Sequence, residues 1–207
     1  MYYDYEKLGI WQLGEEDQAK QFGQKVGEIK VKDQNGDGKI DAVNDRVILS
    51  SIIPKWSSDI TNRFEFKGFD LSFFVYARID NMIRSDFHTS YNHLAGRYNN
   101  LNIDYWTPAN PTNDFPRPNV NQENPIYGST LQYFDSLFVK VRNINFGYNF
   151  PAATVSKLKI SGLRAYTGIQ WPFIFAPYRS KYQGIDPGTA DQTPSVRQFT
   201  FGVNARF

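Results

Sequence analysis

The residues from Gln198 to Phe207 alternate with a period of two: Phe199, Phe201, Val203, Ala205 and Phe207 interleave with Gln198, Thr200, Gly202, Asn204 and Arg206. Successive side chains of a strand point to opposite faces, so this segment makes a strand with one apolar face and one polar or small face. A soluble β domain turns such a face against its core, and a membrane β-barrel turns it against lipid. In lipid no strand edge can stay unpaired, so the barrel reading also requires this strand to close against a neighbour.

The rest of the composition bears on that choice. Aromatic residues make up 16% of the chain, with 17 Phe, 13 Tyr and 4 Trp. No stretch approaches the ~18 consecutive apolar residues of a transmembrane helix, so any span has to be β. The net charge is +2 with scattered basic residues, which leaves no footprint for nucleic acid. Cysteine is absent, removing disulfide and thiolate chemistry. The run Met1-Tyr2-Tyr3-Asp4-Tyr5-Glu6-Lys7 has no basic stretch followed by an apolar one and is not a signal peptide; for an envelope protein the chain is then expected to be a fragment.

The first ~30 residues show no clear period. From Trp56 to Ile83 the pattern predicts two strands. Ile60, Asn62, Phe64 and Phe66 share one face, and Phe69, Leu71, Phe73, Val75 and Ala77 continue it after a tight turn at Lys67-Gly68. Arg84 to Phe134, rich in Asn and Pro, predicts a loop of about 50 residues, far longer than usual inside a compact domain. Leu137, Val139 and Val141 restart a strand whose apolar phase then moves to Ile144, Phe146, Tyr148 and Phe150. A β-bulge near Arg142-Asn143 is expected there, because a one-residue slip otherwise turns the apolar face over. Pro151-Ala152-Ala153 marks a turn, Leu158 to Ile169 the next strand, and Pro177 to Pro194 a loop before the last strand. Short connections at Lys67-Gly68 and Pro151 to Ser156 thus alternate with long ones at Arg84 to Phe134 and Pro177 to Pro194, as in outer-membrane barrels with short periplasmic turns and long extracellular loops.

Several blocks together carry a resemblance. They are Asp33-Gln34-Asn35-Gly36-Asp37-Gly38-Lys39-Ile40-Asp41, Asn44-Asp45-Arg46, Pro54-Lys55-Trp56, Gly68-Phe69-Asp70-Leu71-Ser72, Val141-Arg142-Asn143-Ile144-Asn145-Phe146-Gly147-Tyr148 and the terminal Phe207. In this order the chain resembles the C-terminal part of the SusC/RagA-like TonB-dependent outer-membrane transporters of Bacteroidota. The resemblance implies an all-β fold: an antiparallel meander of roughly six transmembrane strands, the C-terminal part of an outer-membrane barrel of about 22 strands. It further implies import of oligosaccharides or peptides with a SusD-like surface lipoprotein as lid, and energy from TonB through an N-terminal part and plug absent from these 207 residues. The outer-membrane assembly machinery is then expected to recognise the closing strand, with Phe199, Phe201, Val203 and Phe207 as its signal. Trp171-Pro172 departs from the family pattern, and proline cannot donate to a ladder, so the strand through Leu163 to Ile169 is expected to end near there.

One local motif carries explicit chemistry. Asp33, Asn35, Asp37, the Lys39 carbonyl and Asp41 occupy positions 1, 3, 5, 7 and 9 of an EF-hand-like loop with Gly38 at the turn. The twelfth position holds Asn44, with Asp45 one residue late. The functional reading is a structural Ca²⁺ held by Asp33, Asn35, Asp37, Lys39, Asp41 and Asp45; the other is a loop whose side chains cap their own backbone. In the long loop Tyr91, Tyr98, Tyr105 and Trp106 are candidates for ligand or lid contact, with Arg97 and Asn99 beside them, and the alternative is that these rings and Tyr127 form the loop's own small core. The two histidines, His88 and His93, lack a zinc frame, and no nucleophile elbow, phosphate loop or dinucleotide fingerprint is present, so an enzyme is not expected. Two classes remain: a segment of an outer-membrane importer in contact with lipid, or a secreted, calcium-binding β domain that binds glycan or protein.

Overall fold

A computed structural model describes residues 1–92, 101–122, 124–177, 186–188 and 196–207. In chain order its elements are β1 (Tyr2–Tyr5), β2 (Lys7–Ile10), α1 (Glu16–Gln21), β3 (Ile29–Val31), β4 (Arg46–Ser50), β5 (Trp56–Phe66), β6 (Phe69–Ile79), β7 (Met82–Arg84), α2 (Asp86–Tyr91), β8 (Tyr133–Asp135), β9 (Phe138–Asn149), α3 (Ala152–Val155), β10 (Gly162–Phe175) and β11 (Gln198–Arg206). They fall into two compact units.

The unit containing Met1–Ile53 and Asn81–Asp135 is built from small antiparallel pairs, β1 with β4, β2 with β3, and β7 with β8. Strands this short are marginal alone and need a shared core. Tyr5, Ile10, Ile29, Val31, Trp106 and Leu131 supply it, with Val26, Ile40, Phe115 and Tyr127 packed against them. Much of that core comes from the first 31 residues, which show no period, and the rest largely from the segment expected to be a loop. Ser85 caps α2, and its hydroxyl accepts the His88 backbone N–H.

The other unit is a five-stranded antiparallel sheet in the order β5-β6-β9-β10-β11, a meander in which each strand pairs with its sequence neighbour in the sheet. Eleven residues of β5 pair without interruption with β6, from Trp56 opposite Ile79 to Phe66 opposite Phe69. Lys67 (φ 46°) and Gly68 (φ 87°) close that hairpin. Two successive left-handed residues define the type I′ turn, whose twist matches the strands it joins. At the same end the Asn149 backbone N–H donates to the Gly68 carbonyl (2.8 Å) and Ser161 N–H to the Arg206 carbonyl (2.7 Å). The connections 67–68 and 150–161 therefore share one end of the sheet, and the long ones, 80–137 and 176–197, leave the other.

The bulge expected near Arg142-Asn143 is present. Phe74 faces Asn143 and Val75 faces Val141, leaving Arg142 as the extra residue. The β10 side corrects an expectation. Gln170 faces Asn143 and Phe173 faces Val141, so Trp171 and Pro172 sit in a matching irregularity and the strand runs on to Phe175 instead of stopping. A bulge is where a missing N–H costs the ladder least, which is how proline is accommodated inside the strand. The same strand begins at Gly162, not Leu158, because Ser156–Leu158 form a 3₁₀ turn that ends at left-handed Lys159 (φ 54°). Likewise β6 stops at Ile79, and Ile83 pairs with Phe134 in the separate β7–β8 ladder.

Candidate functional site

Register assigns every strand of the sheet to two faces. On one lie Phe64 and Phe66 of β5, Phe69, Leu71 and Phe73 of β6, Ile144 and Phe146 of β9, Ile169, Phe173 and Phe175 of β10, and Phe199, Phe201 and Val203 of β11. Rings meet across strands, Phe69 and Phe146 at 5.7 Å and Phe64 and Phe73 at 6.1 Å. Many of these side chains are nonetheless exposed, Phe201 at 78% and Phe66 at 70%. Burying such a side chain stabilises by about 1.5–3 kcal/mol. Leaving a whole face of them in water forgoes an amount comparable with the entire stability of a domain, ~5–15 kcal/mol. The face is built for an apolar surrounding. Phe199, Phe201, Val203 and the terminal Phe207, the residues of the expected assembly signal, are all exposed.

The opposite face is polar. Asp70 of β6 and Arg164 of β10 form a two-pronged ion pair, Nη2 to Oδ1 at 2.6 Å and Nε to Oδ2 at 3.2 Å, spanning β9 above Gly147. A Cβ at Gly147 would collide with both partners, so only glycine lets the pair close over the strand. At the long-connection end the same face gathers charge and aromatic surface. The Lys140 ammonium, 4% exposed, donates to the Asp186 carboxylate, which also accepts the Gly188 N–H (2.7 Å), while Ser136 Oγ donates to the Pro187 carbonyl (2.6 Å). Arg142, aimed by its bulge, lies over Trp171 (4.9 Å), Phe74 (5.6 Å) and Tyr76 (5.9 Å). Arg78 lies over the Tyr76 ring (5.5 Å) and donates to its hydroxyl. Sequence reasoning does not single out this group. The alternation of Lys140 and Arg142 with Val139 and Val141 is its one local sign.

In the acidic loop the oxygens face the chain. Asp33 accepts the N–H groups of Gly36 and Gly38, both at 2.8 Å, Asp37 accepts that of Lys39 (2.9 Å), and Asp41 accepts those of Val43 (2.7 Å) and Asn44 (2.8 Å). The Asn35 side-chain oxygen accepts the Asp37 N–H (3.2 Å). Asp45, 1% exposed, joins the loop's two ends by accepting the Gln34 N–H (2.8 Å) and the Asp41 N–H (2.7 Å). These are Asx turns in series. The Asn44 N–H, chiefly, holds the Asp41 carboxyl below the ordinary carboxylate range. No group of three or more acidic or histidine side chains is gathered as a metal cluster among the described residues.

The loop aromatics separate. Trp106 is buried in the core and its Nε1 donates to Gln12 Oε1 (2.8 Å), so it is unavailable to a ligand. Tyr105 and Tyr91 are exposed. Tyr105 borders a shallow depression with Ile103, Asp104, Thr107 and Asn110. Tyr98, with Arg97, Asn99 and His93, lies outside the described residues. His88 is fully buried, its Nδ1 2.7 Å from Ser85 Oγ and its ring 4.5 Å from that of Phe134.

No family model matches the sequence. Curated relatives do. The chain is 28% identical over 229 residues to TonB-dependent receptor P3 of Formosa agariphila, covering 100% of this chain and 22% of the relative. It is 29% identical to TonB-dependent receptor P39 of the same organism over 90% of this chain, and 28% identical to TonB-dependent receptor SusC of Bacteroides thetaiotaomicron over 84%. The chain thus spans about a fifth of the length of the curated relatives it matches. Among solved structures, that of the RagAB peptide transporter superposes with a TM-score of 0.70 at 18% identity over 99% of this chain, and that of the RagAB peptide importer in the open-open state with 0.69 over 100%. The resemblance carried by the ordered blocks is borne out. So is an all-β antiparallel fold of the TonB-dependent barrel type, with five strands in the sheet where roughly six were expected.

Proposed function

We propose that this chain, a segment of SusC/RagA-like TonB-dependent receptor type, forms part of the wall of an outer-membrane importer, with its apolar face in lipid and its polar face toward the lumen. The observation that carries the reading is the exposed apolar face running across all five strands. A secreted calcium-binding β domain would have to cover that face, and within the sheet's own unit no described element does so. The strands β5 and β11 each have one unpaired edge among the described residues, and further strands of the intact receptor would pair with them.

In this reading the intact receptor draws energy from TonB, is inserted by the outer-membrane assembly machinery through Phe199, Phe201, Val203 and Phe207, and works with a SusD-like surface lipoprotein. Its substrates are oligosaccharides or peptides, the range that the resemblance to SusC/RagA-like transporters implies. Among the described candidate rings of the loop, the exposed Tyr91 and Tyr105 are placed to meet a solute or the lid. Fractionation tests the wall directly: the intact receptor is expected in the outer-membrane fraction with a lipoprotein co-purifying. A water-soluble monomer in the culture medium would overturn the reading.

The acidic loop carries a separable proposal, a structural Ca²⁺ held by Asp33, Asn35, Asp37, the Lys39 carbonyl, Asp41 and Asp45. Its support is the alternate spacing of oxygen donors and the left-handed turn at Gly38 (φ 80°). Against it stand the backbone hydrogen bonds of Asp41 and Asp45. Thermal unfolding with millimolar Ca²⁺ or with chelator separates the two: a raised midpoint marks a calcium site, and an unchanged one a self-capped loop.

A further inference from the structure

We propose that the polar face of the sheet carries a cradle for a carboxylate-bearing solute, formed by Arg78 and Arg142 on the rings of Tyr76, Phe74 and Trp171. The proposal rests on the wall reading, which turns this face to the lumen. Among the described residues three cations, Arg78, Lys140 and Arg142, share this end of the face with two carboxylates: Lys140 takes Asp186 in a buried pair, and Asp59, opposite Tyr76 on β5, makes no ion pair with either arginine. Among the described residues neither arginine has a carboxylate within ion-pair reach. Both lie on aromatic faces instead. Stacking fixes a guanidinium plane and leaves N–H groups at its edge for a planar, two-pronged acceptor, the geometry of arginine–carboxylate recognition.

The backbone is shaped for this grouping. Arg142 is the extra residue of one bulge, and the irregularity facing it holds Trp171 in the left-handed region (φ 54°). A non-glycine residue held there costs on the order of 1–3 kcal/mol, and bulges re-aim side chains beside functional sites. What the distortion achieves is Trp171 under Arg142 on the polar face. Trp171 and Tyr76 are only half-buried, leaving ring surface for the apolar part of a solute. Two cations with no ion-pair partner among the described residues, Arg78 half-buried and Arg142 exposed, favour an anionic occupant.

The test uses the intact receptor carrying this segment, purified from outer membranes in detergent, and isothermal titration with four probes: trigalacturonate, a tripeptide with a free C-terminal carboxylate, the same tripeptide amidated, and maltotriose. At least one carboxylate probe is expected to bind, about tenfold or more tighter than its neutral counterpart, and to weaken with added salt. The probe that binds identifies the source of the carboxylate. Arg142→Gln and Arg78→Gln are expected to abolish that preference, and Arg142→Lys to retain part of it because the charge remains. Equal affinity for acid and neutral probes, no binding of either acid, or an unchanged preference in both glutamine variants would overturn the cradle. If the glutamine variants do not assemble, the wild-type comparison of acid with amide at two salt concentrations decides alone. A receptor found outside the outer membrane removes the wall reading and the cradle together; one found there without carboxylate preference removes only the cradle.

Discussion

In the unit containing Met1–Ile53 and Asn81–Asp135, Ile10, Ile29, Trp106 and Leu131 turn inward and gather in one core; in the sheet, Phe66, Phe199, Phe201 and Phe175 turn outward and remain exposed. Both regions use amphipathic β segments. They differ in what solvates the apolar side. Short strands with irregular spacing gather around a core of their own, while long strands with a sustained period of two expose a continuous apolar surface that only lipid or more protein can cover.

That contrast can be broken by substitution. The largest effect is expected at Trp106: truncation to alanine empties a packed core and costs about 3–5 kcal/mol, read as a lower unfolding midpoint of its unit. Ile144→Arg, on the apolar face of the central strand β9, is expected to cost about 2–4 kcal/mol in urea unfolding of the intact receptor in lipid vesicles. Thr200→Arg, on the polar face of β11, stays within about 0.5 kcal/mol, the usual range of an exposed substitution. Equal costs at the two sites would mean that neither face meets lipid. Asp45→Ala strands the N–H groups of Gln34 and Asp41 and is expected to cost about 2 kcal/mol, with Asp45→Asn milder because one acceptor remains.

The smallest effect is that of pH on the cored unit. The Gln12 backbone N–H, with Lys30, lowers the Glu15 carboxyl, and the Gln34 amide, with Lys32, lowers Glu6. A carboxyl lowered in the folded state stabilises the fold above its unfolded pKa, near 4, and loses that contribution as pH falls through its folded value. The midpoint is therefore expected to drop between about pH 5 and 3, and Glu15→Gln to flatten that slope.

Much of the sheet is legible in the sequence. The alternation from Phe199 to Phe207, the turn at Lys67-Gly68 and the bulge at Arg142 follow from local rules: side chains alternate in a strand, and a phase slip demands an extra residue. The Trp171-Pro172 irregularity is the exception. Proline reads as a stop, yet it stops a strand only when the partner cannot yield, and the partner's own bulge lies about 30 residues upstream. The cored unit is the least legible. Its strands are three to five residues long and its core joins Ile10 to Trp106 and Leu131, contacts that leave no period in either segment.

The sequence by itself determined which side chains share a face and where the strand phase slips, because both are set by the chain's own geometry over a few residues. Only the tertiary structure decided that Trp106 is core, that Asp45 staples its loop, that Asp70 and Arg164 meet across Gly147, and that Arg78 and Arg142 converge on the rings of Tyr76 and Trp171. Each of these depends on how the chain folds back on itself beyond its local period, and which segments meet is fixed by burial and register across the whole fold.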